Sequence, residues 1–363
     1  MTADVLPGDT PSVNAHEPGV AYRKYRRLVP WAVGISIATL VTLSVYYQSR
    51  HGSDVVAELR RLSVWTIPAA IGLHLLMQAC WGLRIKVLGD ALGAPVRYGR
   101  AVTLVTSGLF AAAVTPGRVG GEPWRIAMLV RGGASGAAAS QTILADRAVD
   151  MLFFLSLGTI AVLVLPLLFG DTGNVQALGL LAVVGLAAMV ALVVLILVRP
   201  QPVSRACSAL ANIPARMRGR PVRDHAPAIA AFFREVTGGL RQLVRQRPAS
   251  LAAAAVLSVA LWTCELSILW VVLKGFGFAA PYDAVYLAGV LVVMIASVPA
   301  LPGGTGLAEV AALTLLTPLA PGLTPAFLVV WRGLTYYVDL SLGAVVAGLV
   351  VRRRPSVPSA PTT

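Results

Sequence analysis

Apolar segments recur along this chain at a spacing that only a lipid-embedded fold can accommodate. They lie at about 29–47, 64–83, 101–114, 148–169, 175–198, 250–273, 282–299, 306–319 and 324–350. Several approach the ~20 residues that a spanning helix needs. The chain is 57% hydrophobic and only 13% charged, whereas a soluble domain is about a quarter charged. In hydrocarbon every backbone polar group must find its partner within the protein, which leaves helices or closed barrels. The expected class is therefore an all-α polytopic membrane protein.

Two of the segments are short. At ~1.5 Å per residue, 101–114 and 306–319 reach only about 21 Å against a hydrocarbon core of ~30 Å. Arginine placement then fixes the expected topology, because cytoplasmic loops concentrate Lys and Arg. "YRKYRR" (22–27), ten arginines against Asp224 and Glu235 in 199–249, and "RRR" (352–354) all point to the cytoplasm. Between 22 and 199 the clear spans are 29–47, 64–83, 148–169 and 175–198, so 101–135 must enter and leave by one side. Between 249 and 352 the clear spans are 250–273 and 324–350, so 282–319 must do the same from the outside. The expectation is about six full spans plus two short re-entrant hairpins inserted from opposite faces. The layout repeats upside down, with repeat one at 29–169 and repeat two at 175–350, and inverted repeats of this kind recur in secondary transporters. Residues 1–28 and 351–363 are expected to be disordered cytoplasmic ends. The stretch "AIAAFFREVTGGLRQLV" reads as an amphipathic helix, which either lies on the anionic inner leaflet or packs against the cytoplasmic helix ends.

Each hairpin has a Gly/Pro tip carrying a carboxylate. The first is "TPGRVGGE", with Gly117, Gly120, Gly121 and Glu122, and the second is "LPGGTGLAE", with Gly303, Gly304, Gly306 and Glu309. An arginine follows each at some distance (Arg147, Arg332), then an aspartate (Asp150, Asp339). A charge near the bilayer centre costs at least ~2.5–3.5 kcal/mol on insertion scales, so these residues invite a functional reading. Arg118, Glu122 and Arg125 suit a lipid phosphate, since arginine matches phosphate oxygens two at a time and a half-helix N-terminus adds positive potential. The alternative is that Glu122 pairs with Arg118 or Arg125 at a helix start. Asp146, Arg147 and Asp150 form either a site or an ion pair at i,i+3. Glu309 can bind a cationic group, carry a proton or pair with Arg332, which shares a helix face with Asp339 by its seven-residue spacing. Glu265 is the most isolated membrane acid, with a proton role or bundle pairing open to it. His74 and Gln78 read as interhelical hydrogen-bonding residues.

The net charge of +14 would suggest nucleic acid in a soluble protein; here the topology rule accounts for it, and no nucleic-acid partner is expected. Cys80, Cys207 and Cys264 have no metal or redox spacing, and "PGRVGGE" lacks the dinucleotide spacing. No Walker A loop, H-E-x-x-H or D-x-D pair occurs. Neither a cofactor nor an enzymatic activity is expected.

"TPGRVGGEPWR", "DRAVD", "PGGTGLAE" and "WRGLTYYVD", in that order, resemble the successive signatures of the flippase-like membrane family related to the transmembrane half of bacterial lysylphosphatidylglycerol synthase. Where the family often has Glu-Arg, this chain has Asp146-Arg147. The resemblance implies movement of a lipid between leaflets, with Arg118, Arg125, Arg147 and Arg332 on phosphate. It implies membrane lipids as partners, whether an anionic or aminoacylated phospholipid or a polyprenyl-phosphate lipid, in a bacterial plasma membrane. The chain stops at 363 without the soluble synthase domain, so lipid aminoacylation is not expected. Two other classes remain open. One is a polyprenyl-phosphate-dependent glycosyltransferase using Asp54 and Glu58; the other is a non-transporting partner of a cell-envelope enzyme.

Overall fold

A computed structural model describes residues 55–115, 118–169, 226–297 and 306–352, with scattered helical positions between 30 and 41 and between 177 and 194. Among the described residues every regular element is helical. The chain forms α1 (Val55–Leu59), α2 (Thr66–Ala91), α3 (Tyr98–Ala113), α4 (Gly121–Val130), α5 (Gly136–Phe169), α6 (Ala226–Gln246), α7 (Pro248–Gly275), α8 (Tyr282–Ala296), α9 (Leu307–Leu316) and α10 (Pro325–Arg332). A π turn, Gly333–Tyr337, joins α10 to α11 (Val338–Arg352).

Four stretches are long and apolar enough to cross a bilayer: Thr66–Ala91, Gly136–Leu167, Pro248–Gly275 and Ala326–Arg352. They correspond to four of the six full spans expected. The other two, 29–47 and 175–198, fall largely outside the described residues. The short segments 101–114 and 306–319 form α3 and α9; α3 is followed by α4, and both α4 and α9 are ten residues long. Such a helix is about 15 Å long and cannot cross hydrocarbon alone.

Local chemistry sets the boundaries. Pro248 opens α7, where its missing N–H costs nothing, and Gly277, at φ 86°, takes the left-handed position that closes it. The apolar segment 64–83 stops just before Arg84, yet α2 continues about two turns further, to Ala91, with Arg84 buried rather than terminal.

α2 and α7 pack antiparallel through the centre. Thr66 sits against Gly275, His74 faces Glu265, and Arg84 reaches Ser258. A Cβ on Gly275 would lie 2.0 Å from Thr66 Oγ1, so glycine there sets the helix separation. Two further close packings tie the halves together. Gly343 of α11 lies under Thr106 and Phe110 of α3, and Gly158 of α5 lies under Met294 of α8. Small residues at helix contacts are the usual device where lipid supplies no hydrophobic drive between helices. The amphipathic helix expected in 199–249 is α6. Val236 and Leu243 are buried, Gln141 of α5 donates to the Glu235 carbonyl, and Val244 stays 60% exposed.

Candidate functional site

A polar stripe runs along the buried face of α2. His74, Gln78, Trp81 and Arg84 recur at intervals of three and four, which places them on one side of a helix. The stripe covers about 15 Å of the helix axis. Ser258 and Glu265 answer it from α7, so the central helix pair is joined by polar contacts inside an apolar bundle.

At one end lies a charge cluster around Arg84, whose side chain is fully buried. Its Nε is 2.7 Å from Asp146 Oδ1, and Nη1 and Nη2 donate to Asp150 Oδ1 and Oδ2 at 2.5 and 3.1 Å. Trp81 donates to Asp146 at 3.1 Å and Trp262 to Asp150 at 2.7 Å. Arg147 approaches Glu122 at 3.1 Å, Asp150 at 3.4 Å and Asp146 at 3.7 Å. Arg125 lies over the Trp81 ring at 4.2 Å, 3.8 Å from Glu122. Three guanidiniums thus meet three carboxylates, and the cluster balances. Burying charge demands that balance, since an uncompensated ion costs several kcal/mol. Arg125 is nevertheless under-satisfied: its Nε and Nη1 have no hydrogen-bond partner among the described residues.

At the other end His74 is wedged between acids. Its Nε2 donates to Asp339 Oδ1 at 3.0 Å, while Nδ1 lies 3.4 Å from Glu265 Oε2 without a directed hydrogen bond. The Gln78 amide touches the same ring at 3.0 Å and accepts from Thr106 at 2.6 Å. Arg118 arrives from the first tip, 3.7 Å from Asp339 Oδ2. It holds φ 60°, which a side chain with a Cβ rarely adopts; such positions cluster at functional sites.

The second tip forms a separate pair. Arg332 donates from Nε to Glu309 Oε1 at 2.6 Å, and Glu309 Oε2 accepts from the Gly306 backbone N–H, also at 2.6 Å. Gly306 sits at φ 88°, a conformation open to glycine, and the bond caps α9. A π turn lies between Arg332 and Asp339, and the two serve different partners, Glu309 and His74.

Two of the tip glycines have packing roles. The Gly120 N–H is taken by Thr115 Oγ1 at 2.9 Å, and Gly121 lets α4 approach Ala112 of α3. Both serve close packing. Gly117, Gly303 and Gly304 lie outside the described residues. Glu122 does pair at a helix start, with Arg125, but its shorter contact is to Arg147. Sequence reasoning missed Arg84, Trp81, Ser258 and Trp262. The signal for Arg84 was available: an arginine flanked by apolar residues in "WGLRIKV" at the end of a strong span.

The sequence matches the family described as "Lysylphosphatidylglycerol synthase TM region" over residues 31–343. It is similar to a UPF0104 membrane protein of Archaeoglobus fulgidus, at 22% identity over 86% of this chain and 93% of that one. It is also similar to a UPF0104 membrane protein of Pyrococcus horikoshii, at 21% identity over 81% of this chain and 89% of that one. The match takes in both tips, the stripe on α2 and the arginine-bearing helices α5 and α10. The chain belongs to the lysylphosphatidylglycerol synthase transmembrane-region family and is a multi-pass membrane protein.

Proposed function

We propose that this protein moves an anionic lipid, a phospholipid or a polyprenyl-phosphate-linked lipid, between the leaflets of the plasma membrane, as a transporter and not an enzyme. The observation that carries this reading is a difference between two kinds of arginine. Arg84 and Arg332 are buried and held by carboxylates at 2.5–2.7 Å. Arg118 and Arg147 are 36% and 26% exposed and held at 3.1–3.7 Å. The first pair brace helices; the second can exchange a carboxylate for a phosphate. Arg125 lies beside them with donors to spare. A phosphate has more acceptor oxygens than a carboxylate and matches the guanidinium fork.

The two halves would be inverted repeats, with both termini and α6 cytoplasmic. The antiparallel α2 and α7 support this, since each is the first described long helix of its half. Each half also ends in a helix packed on the other half's short arm, through Gly158 or Gly343. These glycines each lie eleven residues after Arg147 or Arg332. Glu122–Arg147 and Glu309–Arg332 then become equivalent gates. The first is part-exposed and loose; the second is buried and tight. That is the asymmetry expected of a carrier open to one side only. The lipid tails would remain in the bilayer while the headgroup passes between the tips.

Leaflet exchange in proteoliposomes of purified protein tests the reading. Labelled zwitterionic, anionic, aminoacylated and polyprenyl-phosphate-linked lipids are offered separately. Exchange of one anionic class, lost in Arg147→Ala protein that folds normally, is the expected result. No exchange of any class would overturn it, and would return attention to sugar transfer at Asp54 and Glu58, or to a cell-envelope enzyme as partner.

A further inference from the structure

His74 cannot satisfy both its neighbours as a neutral ring. A neutral imidazole has one N–H and one lone pair. Here one nitrogen faces Asp339 at 3.0 Å and the other faces Glu265 at 3.4 Å, so one of them would present a lone pair to a carboxylate. The ring is 1% exposed, and water cannot relieve the conflict. The local charge count agrees: Arg118 is one cation against two acids. A single additional proton resolves both problems, either on the ring or shared with a carboxylate.

The groups facing His74 can be named from each element. Glu265 comes from α7, Asp339 from α11 and Arg118 from the first tip. From α3 the contact is the uncharged Thr106, through Gln78. Within α2, Gln78 is the neighbour one turn on. Glu265 is 21% exposed, whereas His74 and Asp339 are 1% and 7%, so Glu265 is the side on which a proton enters.

Arg118 links this proton to the transport site. It is the most exposed of the site's arginines and holds Asp339 by one contact at 3.7 Å. An anion that engages Arg118 draws it off Asp339. The two carboxylates then lose their cation, and a proton on His74 restores the charge balance that burial demands. We propose that His74, Glu265 and Asp339 bind one exchangeable proton, and that a lipid phosphate at Arg118 draws that proton in. The step is a simple transfer. Water at the exposed edge gives a proton to Glu265, Glu265 passes it to His74 Nδ1, and Nε2–H stays on Asp339. The anion half of the proposal rests on the lipid-transport reading; the proton half does not.

The test is histidine-selective 15N NMR of the full chain in nanodiscs. There are four histidines, and His74→Gln assigns the signal. An ordinary histidine titrates near pH ~6.5. The expected result is a His74 imidazolium persisting at pH 7.5, neutral in Glu265→Gln, with its midpoint raised in Arg118→Gln. A neutral His74 at pH 7.5 overturns the proton site whatever the lipid does. An unmoved midpoint in Arg118→Gln overturns the link to Arg118. Short-chain dihexanoyl phosphatidylglycerol is then added to weakly buffered protein carrying a pH indicator, at the measured His74 midpoint where the site is half empty, with dihexanoyl phosphatidylcholine as control. Proton uptake with the anionic lipid supports the full proposal. Its absence, where the NMR results hold, overturns the anion half alone; the lipid reading is decided by leaflet exchange, and the proton site stands.

Discussion

Arg84 Nε lies 2.7 Å from Asp146 Oδ1, with the rest of the same guanidinium on Asp150. One arginine thus fastens α2 to two consecutive turns of α5, and through Ser258 to α7. Removing it leaves two buried carboxylates with only Arg147, at 3.4 and 3.7 Å, and two tryptophan N–H groups. Breaking a buried pair from one side costs about 3–5 kcal/mol. Arg84→Met is therefore expected to lower the thermal unfolding midpoint in detergent sharply, and Arg84→Lys to recover little, because an ammonium cannot span both aspartates. A midpoint within a degree or two of wild type would show that the pairs contribute nothing to stability.

Glu309 and Arg332 offer a cleaner pair. Glu309 also caps α9, so Glu309→Gln loses the charge while keeping an oxygen for the Gly306 N–H. Arg332→Gln leaves Glu309 buried and unpaired. Each single variant is expected to be less stable than the double variant would suggest by addition, with a coupling of about 1–3 kcal/mol. The double-mutant cycle is read from unfolding midpoints with denaturant. Additive effects would mean that the 2.6 Å contact is not an energetic unit.

Much of this arrangement was legible in the chain. Glu122, Arg147, Glu309 and Arg332 stand out because a charge in hydrocarbon is expensive, and Arg332 was a named candidate for Glu309, whereas Glu122 was given Arg118 or Arg125 and lies nearer Arg147. Their partners across the bundle were harder. Arg84 carries no motif, and Asp146 and Asp150 lie more than sixty residues away from it in sequence. Hydropathy ends a span at its first charge, so a buried arginine reads as a boundary. The π turn was illegible for a different reason: it changes helix register without leaving a compositional mark. The tip glycines were visible, but whether a glycine admits a ligand or a neighbouring helix depends on packing that spacing cannot show.

Arg147 and Arg332 occupy matching places, and the proposed mechanism predicts that they behave differently. Arg147→Ala removes a part-exposed, loosely held cation. It is expected to slow lipid exchange at least tenfold while moving the unfolding midpoint little. Arg332→Ala should act chiefly on stability. Exchange is measured in proteoliposomes, and folding by thermal unfolding of the same preparations. Equal losses of stability in both would remove the distinction between bracing and binding arginines.

The close approach of α11 to α3 allows a test that touches no charge. A Cβ on Gly343 would lie 2.7 Å from the Thr106 carbonyl oxygen and 2.9 Å from the Phe110 backbone nitrogen. Backbone cannot swing aside as a side-chain tip can. Gly343→Ala must push α11 away, and overpacking of this kind costs about 1–3 kcal/mol. Asp339 is on the same helix, one turn before Gly343, so the displacement also lengthens its contacts to His74 and Arg118. Gly72→Ala is the control: its Cβ meets nothing within 4 Å, and alanine is the better helix former. Gly343→Ala should lower both the unfolding midpoint and lipid exchange, while Gly72→Ala leaves both near wild type. If the two variants are equally stable, the α3–α11 contact is looser than the structure places it. If Gly343→Ala is destabilised but exchanges lipid at the wild-type rate, the His74–Asp339 end of the stripe lies outside the transport path.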